Sequence, residues 1–583
     1  MMRDRSIPSE TMRRVIVLAE DWVRHFPTLA ARPDFLRTYG RLPKAISLEP
    51  RVRDDLPLPR DFRDLLGLHE TLTLSLVTEH LLSRRGTGDF QTAYPLALEV
   101  TKRTLGGQEF ESGLDPTCGT GAFLLSLLSL QSRRDSRDTR IVGVERNPES
   151  ASVAWFLCSI ARDLLSLETS AVIECADVND FATHTFGRQR FDVIVGNPPW
   201  VTWTDLSHED KRRWTRRDLR DYEFVEGSGM ERALGVSNKD VAPAIVLRVL
   251  QELGDLQARF GFLFKKGQMN MPAMRSFREG RIPHRSGRTL GITEVLVVES
   301  QGNFIGGEHL QTEGWIGQLD LNPAASILIR SARNRENKWQ ITNQRELVPR
   351  RVPSGDCVLV PAESQLRLGK RRAPVEIRHG VKHDCREVFE ISEATAEVLE
   401  WECTYPVVKS RHVGPNGWGG EYDLLLLPNR ALRDLSELEF SRKFPHAYRY
   451  LSDHKSRLEA RKSQWVGATT FYDVFGVGDY TFKPYKVAWV RLGWKPRFVV
   501  LEPVRLANGE RKPVIPSDHF LFIPTNNKEY AWRLSELLNS TPYQETLEIL
   551  SPKGKSSLPK RLIQNLDLPS EAEFKKIAQA TLA

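Results

Sequence analysis

The stretch LDPTCGTGAFLLSLL, residues 114–128, decides the fold of this chain. A short apolar strand is predicted to end at Asp115, a loop with Gly119 and Gly121 follows, and an apolar helix begins directly after the loop. Glycines in such a unit let a ligand approach the backbone beside the helix N-terminus. The same pattern also occurs in plain strand–helix turns, so on its own it permits a cofactor without requiring one.

Acidic residues follow the next two predicted strands. The strand RIVGVE (140–145) ends in Glu145, and AVIECA (171–176) leads to Asp177. Because parallel strands in this class of sheet bind ligands at their carboxyl ends, both carboxylates should lie beside the glycine loop. Glu145 could accept hydrogen bonds from ribose hydroxyls, and Asp177 from the exocyclic amine of adenine. Either residue alone could be a solvated strand-end acid, but the series implies an adenosine-containing cofactor.

The fourth predicted strand, FDVIVG (191–196), ends in the motif NPPW (197–200). The two prolines fix φ and remove two backbone donors, but they keep their carbonyl oxygens. Asn197 adds a side-chain carbonyl, and Trp200 adds an aromatic surface. The set suits a planar molecule with an NH2 group, whose ring stacks on the indole and whose amine donates to Asn197 and to the carbonyl of Pro198. The alternative is a proline-terminated strand with a buried tryptophan.

Strand and helix patterns alternate from residue 91 to about 332. This alternation predicts an α/β fold with a doubly wound, mostly parallel sheet covered by helices on both faces. The further strand candidates are 260–264, 293–300 and 326–331, and the helix candidates are 149–165 and 240–253. We expect a helical N-terminal region over 1–87, a catalytic domain over 88–335 and an α+β region over 336–583, where basic and aromatic residues interleave.

Composition and charge narrow the function classes. The chain has 583 residues, of which 27% are charged, and no apolar run reaches the roughly 18–20 residues that a membrane span needs. The first residues carry no secretory signal, and the six cysteines form no metal-ligand pattern, so we expect a cytoplasmic protein without a metal site. The net charge of +8 permits a nucleic-acid partner but does not demonstrate one.

Taken together, DPTCGTGAFLL (115–125), Glu145, Asp177 and NPPW resemble the S-adenosylmethionine-dependent N6-adenine DNA methyltransferases. The order, with the cofactor loop first and a recognition region last, is similar to the γ class of that family. The resemblance implies a class I, Rossmann-like methyltransferase fold, S-adenosylmethionine as cofactor and double-stranded DNA as substrate. It implies cofactor contacts from Thr92, Asp115, Pro116, Gly119, Gly121, Phe123, Glu145, Asp177 and Asn197. It implies catalytic roles for Asn197, Pro198, Pro199 and Trp200.

Three details of the resemblance concern aromatic and neighbouring residues. The family usually has Tyr or Phe after the two prolines, and Trp200 keeps that stacking surface. The family usually has Thr-Pro before the cofactor loop, whereas Thr92 and Pro95 are separated here by two residues. The family also stacks a late aromatic residue on the other face of the flipped base. Phe304 in SQGNFIGG (300–307) is our candidate for that base-stacking role, and a loop anchor is the alternative.

The C-terminal segments, such as VEIRHGVKHDCREVFEI (375–391), look like the target-recognition region of the large type IIG-like methylases that are fused to restriction enzymes. The basic run Lys370, Arg371 and Arg372 could bind DNA phosphates or be a solvated face. No metal-binding Asp…Glu-x-Lys nuclease constellation precedes the methylase pattern. Any restriction endonuclease partner is therefore expected to be a separate chain.

The predicted function is site-specific methylation of the N6 amine of a flipped adenine, within a restriction-modification or related defence system. An aromatic amine is a poor nucleophile, and two acceptors can turn its lone pair toward an electrophile without a strong base. One alternative is the same chemistry on an RNA base or on cytosine N4. A different alternative is a non-catalytic DNA-recognition subunit that has kept the fold.

Overall fold

The computed structural model groups the chain into two compact units. The first comprises residues up to Arg350 together with 357–362, and the second comprises 351–356 and the residues from Glu363 onward. The structure describes residues 14–15, 18, 59–78, 90–131, 139–168, 170–185, 187–203, 205–214, 240–269, 271–282, 287–299, 302–305, 311–323, 325–335, 338–353, 355, 357–414, 417–428, 435–461, 470–491, 497–550 and 560–574.

The first unit is built on one ten-stranded sheet. Its strands are β1 (Ser112–Asp115), β2 (Arg140–Val144), β3 (Val172–Glu174), β4 (Phe191–Gly196), β5 (Gly254–Lys265), β6 (Leu290–Val298), β7 (Thr312–Leu319), β8 (Ile327–Arg335), β9 (Lys338–Arg351) and β10 (Cys357–Pro361). Their order is β10-β9-β8-β6-β7-β5-β4-β1-β2-β3. The strands from β5 to β3 in that order pair in parallel, and β7 lies antiparallel between β5 and β6.

Helices cover both faces of this sheet. They are α1 (Phe62–Thr78), α2 (Tyr94–Leu105), α3 (Ala122–Leu130), α4 (Pro148–Leu165), α5 (Val178–Thr185), α6 (His208–Arg212), α7 (Ala242–Leu253) and α8 (Arg275–Glu279). One core, with Leu72, Leu124 and Leu157, joins α1, α3 and α4 to the sheet. A second core, with Ile245 and Phe260, buries α7 against the opposite face. The predicted doubly wound α/β fold is therefore confirmed, and α4 and α7 occupy the predicted helical ranges.

The sheet continues beyond the predicted end of the catalytic domain at residue 335. Strand β8 pairs with β9 in an antiparallel ribbon whose last pair is Arg335 with Lys338, so the boundary at 335/336 falls between two strands that pair with each other. The sequence prediction separated the two strands because β9 lacks the alternation of apolar and polar residues that marks a strand in sequence. In the structure, most of β9 is exposed. The compact unit extends through β9 and β10.

The predicted N-terminal helical region is described mainly by α1, which packs against α4. Most of the remainder of 1–87 lies outside the described residues, apart from helical positions at Arg14, Val15 and Leu18. The buried positions of α1 recur at three- and four-residue intervals, which is the spacing expected of an amphipathic helix.

The second unit has an α+β architecture built on two small four-stranded sheets. One contains β11 (Arg378–His379), β17 (Tyr485–Val490), β18 (Val499–Leu501) and β22 (Phe520–Thr525), and the other contains β12 (Glu390–Ile391), β13 (Thr404–Val408), β16 (Asp423–Leu426) and β21 (Ile515–Pro516). Two-stranded ribbons are formed by β14 (Val413–Gly414) with β15 (Gly417–Trp418) and by β19 (Val504–Arg505) with β20 (Arg511–Lys512).

The helices of the second unit pack around these small sheets. They are α9 (Arg386–Phe389), α10 (Glu393–Val398), α11 (Glu437–Lys443), α12 (Pro445–Asp453), α13 (Lys455–Glu459), α14 (Lys528–Asn539), α15 (Thr541–Leu550) and α16 (Lys560–Gln564). Over the described ranges of both units, no helix combines the length and apolar character that a membrane span requires.

Candidate active site

The carboxyl ends of β1, β2 and β4 converge on one pocket in the first unit. Most of the predicted site residues line it: Thr92, Asp115, Pro116, Gly119, Phe123, Glu145, Asp177, Asn197 and Pro199. The other predicted residues of this unit, Gly121, Pro198, Trp200 and Phe304, lie outside the lining. The predicted convergence of strand ends therefore brings the glycine loop, the two acids and the NPPW motif to one place.

The glycine loop has a backbone that side chains would disturb. Gly119 and Gly121 adopt φ values of 53° and 97°, in the left-handed region that favours glycine. A Cβ on Gly119 would lie 2.4 Å from Oε1 of Gln91, and one on Gly121 would lie 3.3 Å from the backbone of Ala154 in α4. The two glycines thus bring the loop close to the segment before α2 and to α4, in addition to lining or flanking the pocket.

Glu145 and Asp177 are held by backbone amides beside the loop. The two carboxylate oxygens of Glu145 accept hydrogen bonds from the N–H groups of Gly119 at 2.9 Å and of Asn147 at 2.7 Å. Asp177 accepts from the N–H of Asn179 at 2.9 Å. Both side chains remain partly accessible at the pocket wall. Each carboxylate can still accept further hydrogen bonds, since an ionised carboxylate offers about four lone-pair sites.

Asp115 lies beneath the pocket between the loop and the end of β4. Its side chain is buried and accepts from the N–H of Thr117 at 3.1 Å, and burial together with the charge of Glu145 raises the pKa of Asp115 well above its usual value. The hydroxyl of Thr117 donates to the backbone carbonyl of Asn197 at 3.1 Å. Two residues after Asp115, the chain is thus hydrogen-bonded directly to the NPPW motif.

The side-chain amide of Asn197 has a defined orientation. Its Nδ2 donates to the backbone carbonyl of Phe90 at 2.9 Å, and a carbonyl can only accept, so Oδ1 must be the other amide atom. This Oδ1 is buried and has no hydrogen-bond partner in the described part of the chain. The indole Nε1 of Trp200 is in the same condition. Buried polar atoms normally have partners, so an acceptor and a donor here are available to a polar ligand.

Trp200 belongs to a cluster of three aromatic rings. Its ring centroid lies 5.2 Å from that of Phe90 and 5.4 Å from that of Phe304, with interplanar angles of 44° and 79°. A base placed between Trp200 and Phe304 would have to contact each ring at a centroid distance of about 4.5–7 Å. The two rings are themselves only 5.4 Å apart, so no base fits between them in this arrangement.

The base-stacking role predicted for Phe304 is therefore not realised in this arrangement. The side chain is only 4% exposed, and its segment pairs with residues before α2: Thr92 bridges to Phe304, and the N–H of Ala93 donates to the carbonyl of Asn303 at 2.9 Å. Phe304 serves here as a loop anchor, the alternative raised from sequence. Its stacking role stays a prediction that requires one of the two rings to move.

Sequence reasoning missed a buried polar network under the loop. The hydroxyl of Thr120 contacts Nε2 of His69 at 3.1 Å and accepts from Thr73 at 2.8 Å, and its backbone N–H donates to Oε1 of Gln91 at 3.2 Å. Burial lowers the pKa of His69 to about 4, so this imidazole is neutral at pH 7. Helix α1 is thereby hydrogen-bonded to the glycine loop. The one sequence signal was a histidine on the apolar face of α1.

The segment after NPPW forms another missed wall of the pocket. Leu206, Asp210, Arg213 and Trp214 all line it. The guanidinium of Arg213 donates to Asp210 at 3.0 Å and lies 4.0 Å from the carboxylate of Asp177. These residues carry no recognisable motif, and only the folded chain places them beside Asp177.

The basic run predicted to bind DNA lies in the second unit. Lys370, Arg371 and Arg372 are all exposed, and Arg371 forms an ion pair with Glu573 at 3.5 Å. Among the residues described in either unit, no cluster of three or more His, Cys, Asp or Glu side chains is arranged to hold a metal ion.

Comparisons with known proteins relate the chain to methyltransferases. Residues 78–231 match the N-6 DNA Methylase family model. The type II methyltransferase M.NspV of Nostoc sp. is 24% identical over 477 residues, which cover 78% of this chain and 90% of that protein. The type II methyltransferase M.CvrRI of Paramecium bursaria Chlorella virus XZ-6E is 35% identical over 104 residues, or 18% of this chain and 22% of that protein.

The fold also has a solved counterpart. The cryo-electron-microscopy structure of a DrdV–DNA complex is similar over 92% of this chain and 61% of that chain, with a TM-score of 0.51 and 11% identity. At that identity the likeness concerns the fold alone.

Proposed function

We propose that the chain, whose residues 78–231 match the N-6 DNA methylase family model, transfers a methyl group from S-adenosylmethionine to the N6 amine of a flipped adenine in duplex DNA. The observation that carries the proposal concerns Oδ1 of Asn197. This atom is buried and has no hydrogen-bond partner among the residues that the structure describes, and Asn197 lines the same pocket as Glu145 and Asp177. The resemblance to N6-adenine DNA methyltransferases, predicted from the motifs, is confirmed by the family match and by the relative M.NspV.

The residues of the pocket fit an adenosine-containing sulfonium cofactor. The glycine loop brings backbone close to the ligand, Glu145 can accept from ribose hydroxyls, and Asp177 can accept from the adenine amine. Phe123 and Pro116 add apolar contacts. S-adenosylmethionine supplies the activated methyl group when bound, and the protein supplies alignment and a site shielded from water.

Asn197 and the carbonyl of Pro198 hold the target amine. Two acceptors bind its two hydrogens, so the nitrogen lone pair is turned out of the ring plane toward the methyl donor. No strong base is required before attack, because the lone pair is made available by orientation. As the bond from N6 to the methyl carbon forms, the bond from that carbon to the donor sulfur would break, and the methylated amine would then release one proton to solvent. Flipping the adenine costs a few kcal/mol, which stacking on Trp200 and the two hydrogen bonds to the amine help to offset.

The two halves of the chain have different roles in this proposal. Residues 88–335, extended through β9 and β10, carry out methyl transfer. The residues from Glu363 onward read the target sequence, and 1–87 support the cofactor loop. Lys370, Arg371 and Arg372 contact phosphates. The setting is host-DNA marking in a restriction-modification system, in which a separate restriction endonuclease would be the partner, as befits a relative named as a type II methyltransferase.

Long-read sequencing of DNA from cells that express the chain tests this function. We expect N6-methyladenine at one recurrent sequence, and none at that sequence in cells that express Asn197→Ala at the same level. A modification of cytosine N4 at the recurrent sequence would reassign the substrate. Unmodified DNA from cells with the folded wild-type protein would contradict the proposal.

A further inference from the structure

We propose that the ribbon of β8 and β9 in the first unit is a second DNA-contacting surface, which binds phosphates of the duplex beside the target adenine. The proposal rests on the proposed function, since it takes duplex DNA as the substrate. It assigns DNA contacts to the catalytic unit itself, in addition to those proposed for the second unit.

The ribbon projects from the edge of the sheet that carries the pocket. Strands β5 and β6 are both antiparallel to β7, and β8 is parallel to β6, so the carboxyl ends of β4, β5, β6 and β8 share one edge. The last pair between β6 and β8 joins Val298 to Ala332. Strands β8 and β9 continue beyond it to the pair Arg335–Lys338. The tip of the ribbon therefore extends past the sheet on the side of the NPPW motif.

Side-chain contacts fix the ribbon in this position. Near the tip, the indole Nε1 of Trp339 donates to the carbonyl of Pro95 at 3.2 Å, and its ring packs partly buried against the core. Nearer the base, Arg330 pairs with the buried Glu294 at 3.0 Å, and Glu294 also pairs with Arg103 at 2.6 Å. The ribbon is therefore anchored at both levels to α2 and the sheet.

The anchor of the tip lies close to the aromatic cluster. Pro95 follows Thr92 by three residues, Thr92 bridges to Phe304, and the ring of Phe304 contacts that of Trp200. A duplex that delivers a flipped base to Trp200 would therefore have its flanking backbone within reach of the ribbon tip.

The exposed side chains of the ribbon suit phosphates. Residues 330–350 include six arginines or lysines and two glutamates. Arg335, Lys338 and Arg345 are exposed, and none of them takes part in an ion pair among the residues that the structure describes. The stretch 340–346 is exposed on both faces of the strand, so packing within this unit does not explain it.

Duplex DNA is the occupant that fits this surface. Positive side chains that neutralise phosphates supply sequence-independent affinity, and the exposed amides of Gln340 and Asn343 add hydrogen-bond donors for the backbone. Two-stranded ribbons are an established means of contacting DNA grooves. An exposed strand that carries several cations is otherwise a poor partner for an apolar protein surface.

The test compares two double variants. The ribbon variant carries Arg335→Gln and Lys338→Gln, and the control variant carries Lys102→Gln and Arg188→Gln. The control pair is also exposed, but it lies near the amino ends of β1 and β4, at the opposite edge of the sheet. The affinity of the full chain for duplex DNA is measured from about 50 to 200 mM salt, on a duplex that contains the target sequence and on a scrambled duplex. For the ribbon variant, we expect the slope of log affinity against log salt to become shallower by about two, equally on both duplexes.

Further readouts separate binding from chemistry and folding. The ribbon variant should keep the melting temperature of the wild type, and its S-adenosylmethionine affinity and its rate at saturating DNA should stay within about two-fold of the wild-type values. Lys338→Gln alone should make the salt slope shallower by about one. An unchanged slope in the ribbon variant, or an equal change in the control, overturns the inference while wild-type binding stands. Failure of the wild-type chain to bind duplex DNA at any salt would instead overturn the proposed function, and this inference with it.

Discussion

The side-chain amide of Asn197 donates to the backbone carbonyl of Phe90 at 2.9 Å, although 107 positions of the chain separate the two residues. This contact assigns the amide orientation and leaves Oδ1 for a ligand. The same short segment supplies Gln91, which binds the cofactor loop, and Thr92, which pairs with Phe304. The segment before α2 therefore connects the glycine loop, the side-chain amide of Asn197 and the aromatic cluster.

Replacing Asn197 should separate binding from catalysis. Asn197→Ala removes the acceptor for the target amine, and we expect the transfer rate to fall by at least about 10²–10³-fold, as for other groups that orient the reacting atoms. Its S-adenosylmethionine affinity should stay within a few-fold of wild type, because the side-chain oxygen that is lost is assigned to the base and the other residues implied to contact the cofactor remain. Methyl-transfer assays and calorimetry on the same preparations measure both. Undiminished transfer would contradict the role of the amide.

Replacing the two pocket acids should weaken cofactor binding. Glu145→Ala and Asp177→Ala each remove a hydrogen-bond acceptor, and each should cost about 1–3 kcal/mol of S-adenosylmethionine affinity. Glu174→Ala is the matched control, because Glu174 is an exposed acid at the end of β3 that does not line the pocket. Calorimetry provides the affinities. Unchanged affinity in both pocket variants would show that neither carboxylate contacts the cofactor.

His69 should make the stability of the protein depend on pH. Its pKa is lowered to about 4 in the fold, so between pH 4 and 6.5 the unfolded chain binds a proton that the folded site does not. The free energy of unfolding therefore rises with pH across this window, and its His69 contribution, on the order of 3 kcal/mol, is present above pH 6.5 and lost as pH falls toward 4.

Denaturation of wild type and His69→Gln at pH 7 and pH 5 measures this contribution. Wild type should lose roughly 2 kcal/mol more than the variant, because glutamine can bond Thr120 without titrating. His208→Gln, a change at an exposed histidine, is the control and should behave as wild type. Equal losses in wild type and His69→Gln would mean that His69 already titrates normally in the fold.

Much of the catalytic unit could be predicted from sequence because its strands are short, apolar and followed by motifs. Strand β1 ends at Asp115 and β4 spans 191–196, as predicted. Each is followed by a motif, the glycine loop after β1 and NPPW after β4. Strand β7 was not predicted, because its two glycines and its polar residues interrupt the apolar pattern. Strand β9 was missed for another reason: its exposed polar face resembles a basic linker.

The site was predictable only to the extent that motifs carry it. Parallel strands bring their carboxyl ends together, which is why Asp115, Glu145, Asp177 and Asn197 could be grouped in advance. His69 comes from a segment without a motif. Phe90 and Gln91 come from the segment in which the resemblance singled out only Thr92, and long-range packing alone determines their contacts. The ring angle between Trp200 and Phe304 is likewise fixed by packing and could not be read from residue type.

The extent of the catalytic unit leads to a prediction about truncation. A fragment ending at residue 362 retains β9 and β10, whereas one ending at 335 leaves the edge of β8 unpaired. We expect the longer fragment to be monodisperse and to bind S-adenosylmethionine as the full chain does, but to lose discrimination between target and scrambled duplexes. The shorter fragment should aggregate. Chromatography measures the aggregation state, calorimetry the cofactor affinity and duplex titration the sequence discrimination of each fragment. If the longer fragment discriminates between target and scrambled duplexes, the second unit is not the part that recognises the target sequence.

The most direct test of the central claim is to incubate the purified chain with duplex DNA and methyl-labelled S-adenosylmethionine, digest the DNA to nucleosides and identify the labelled nucleoside by mass spectrometry. We expect label in N6-methyldeoxyadenosine with wild type, and at least about 10²–10³-fold less of it with Asn197→Ala over the same time. Label in a cytosine nucleoside, or transfer to RNA and not to DNA, would contradict the central claim.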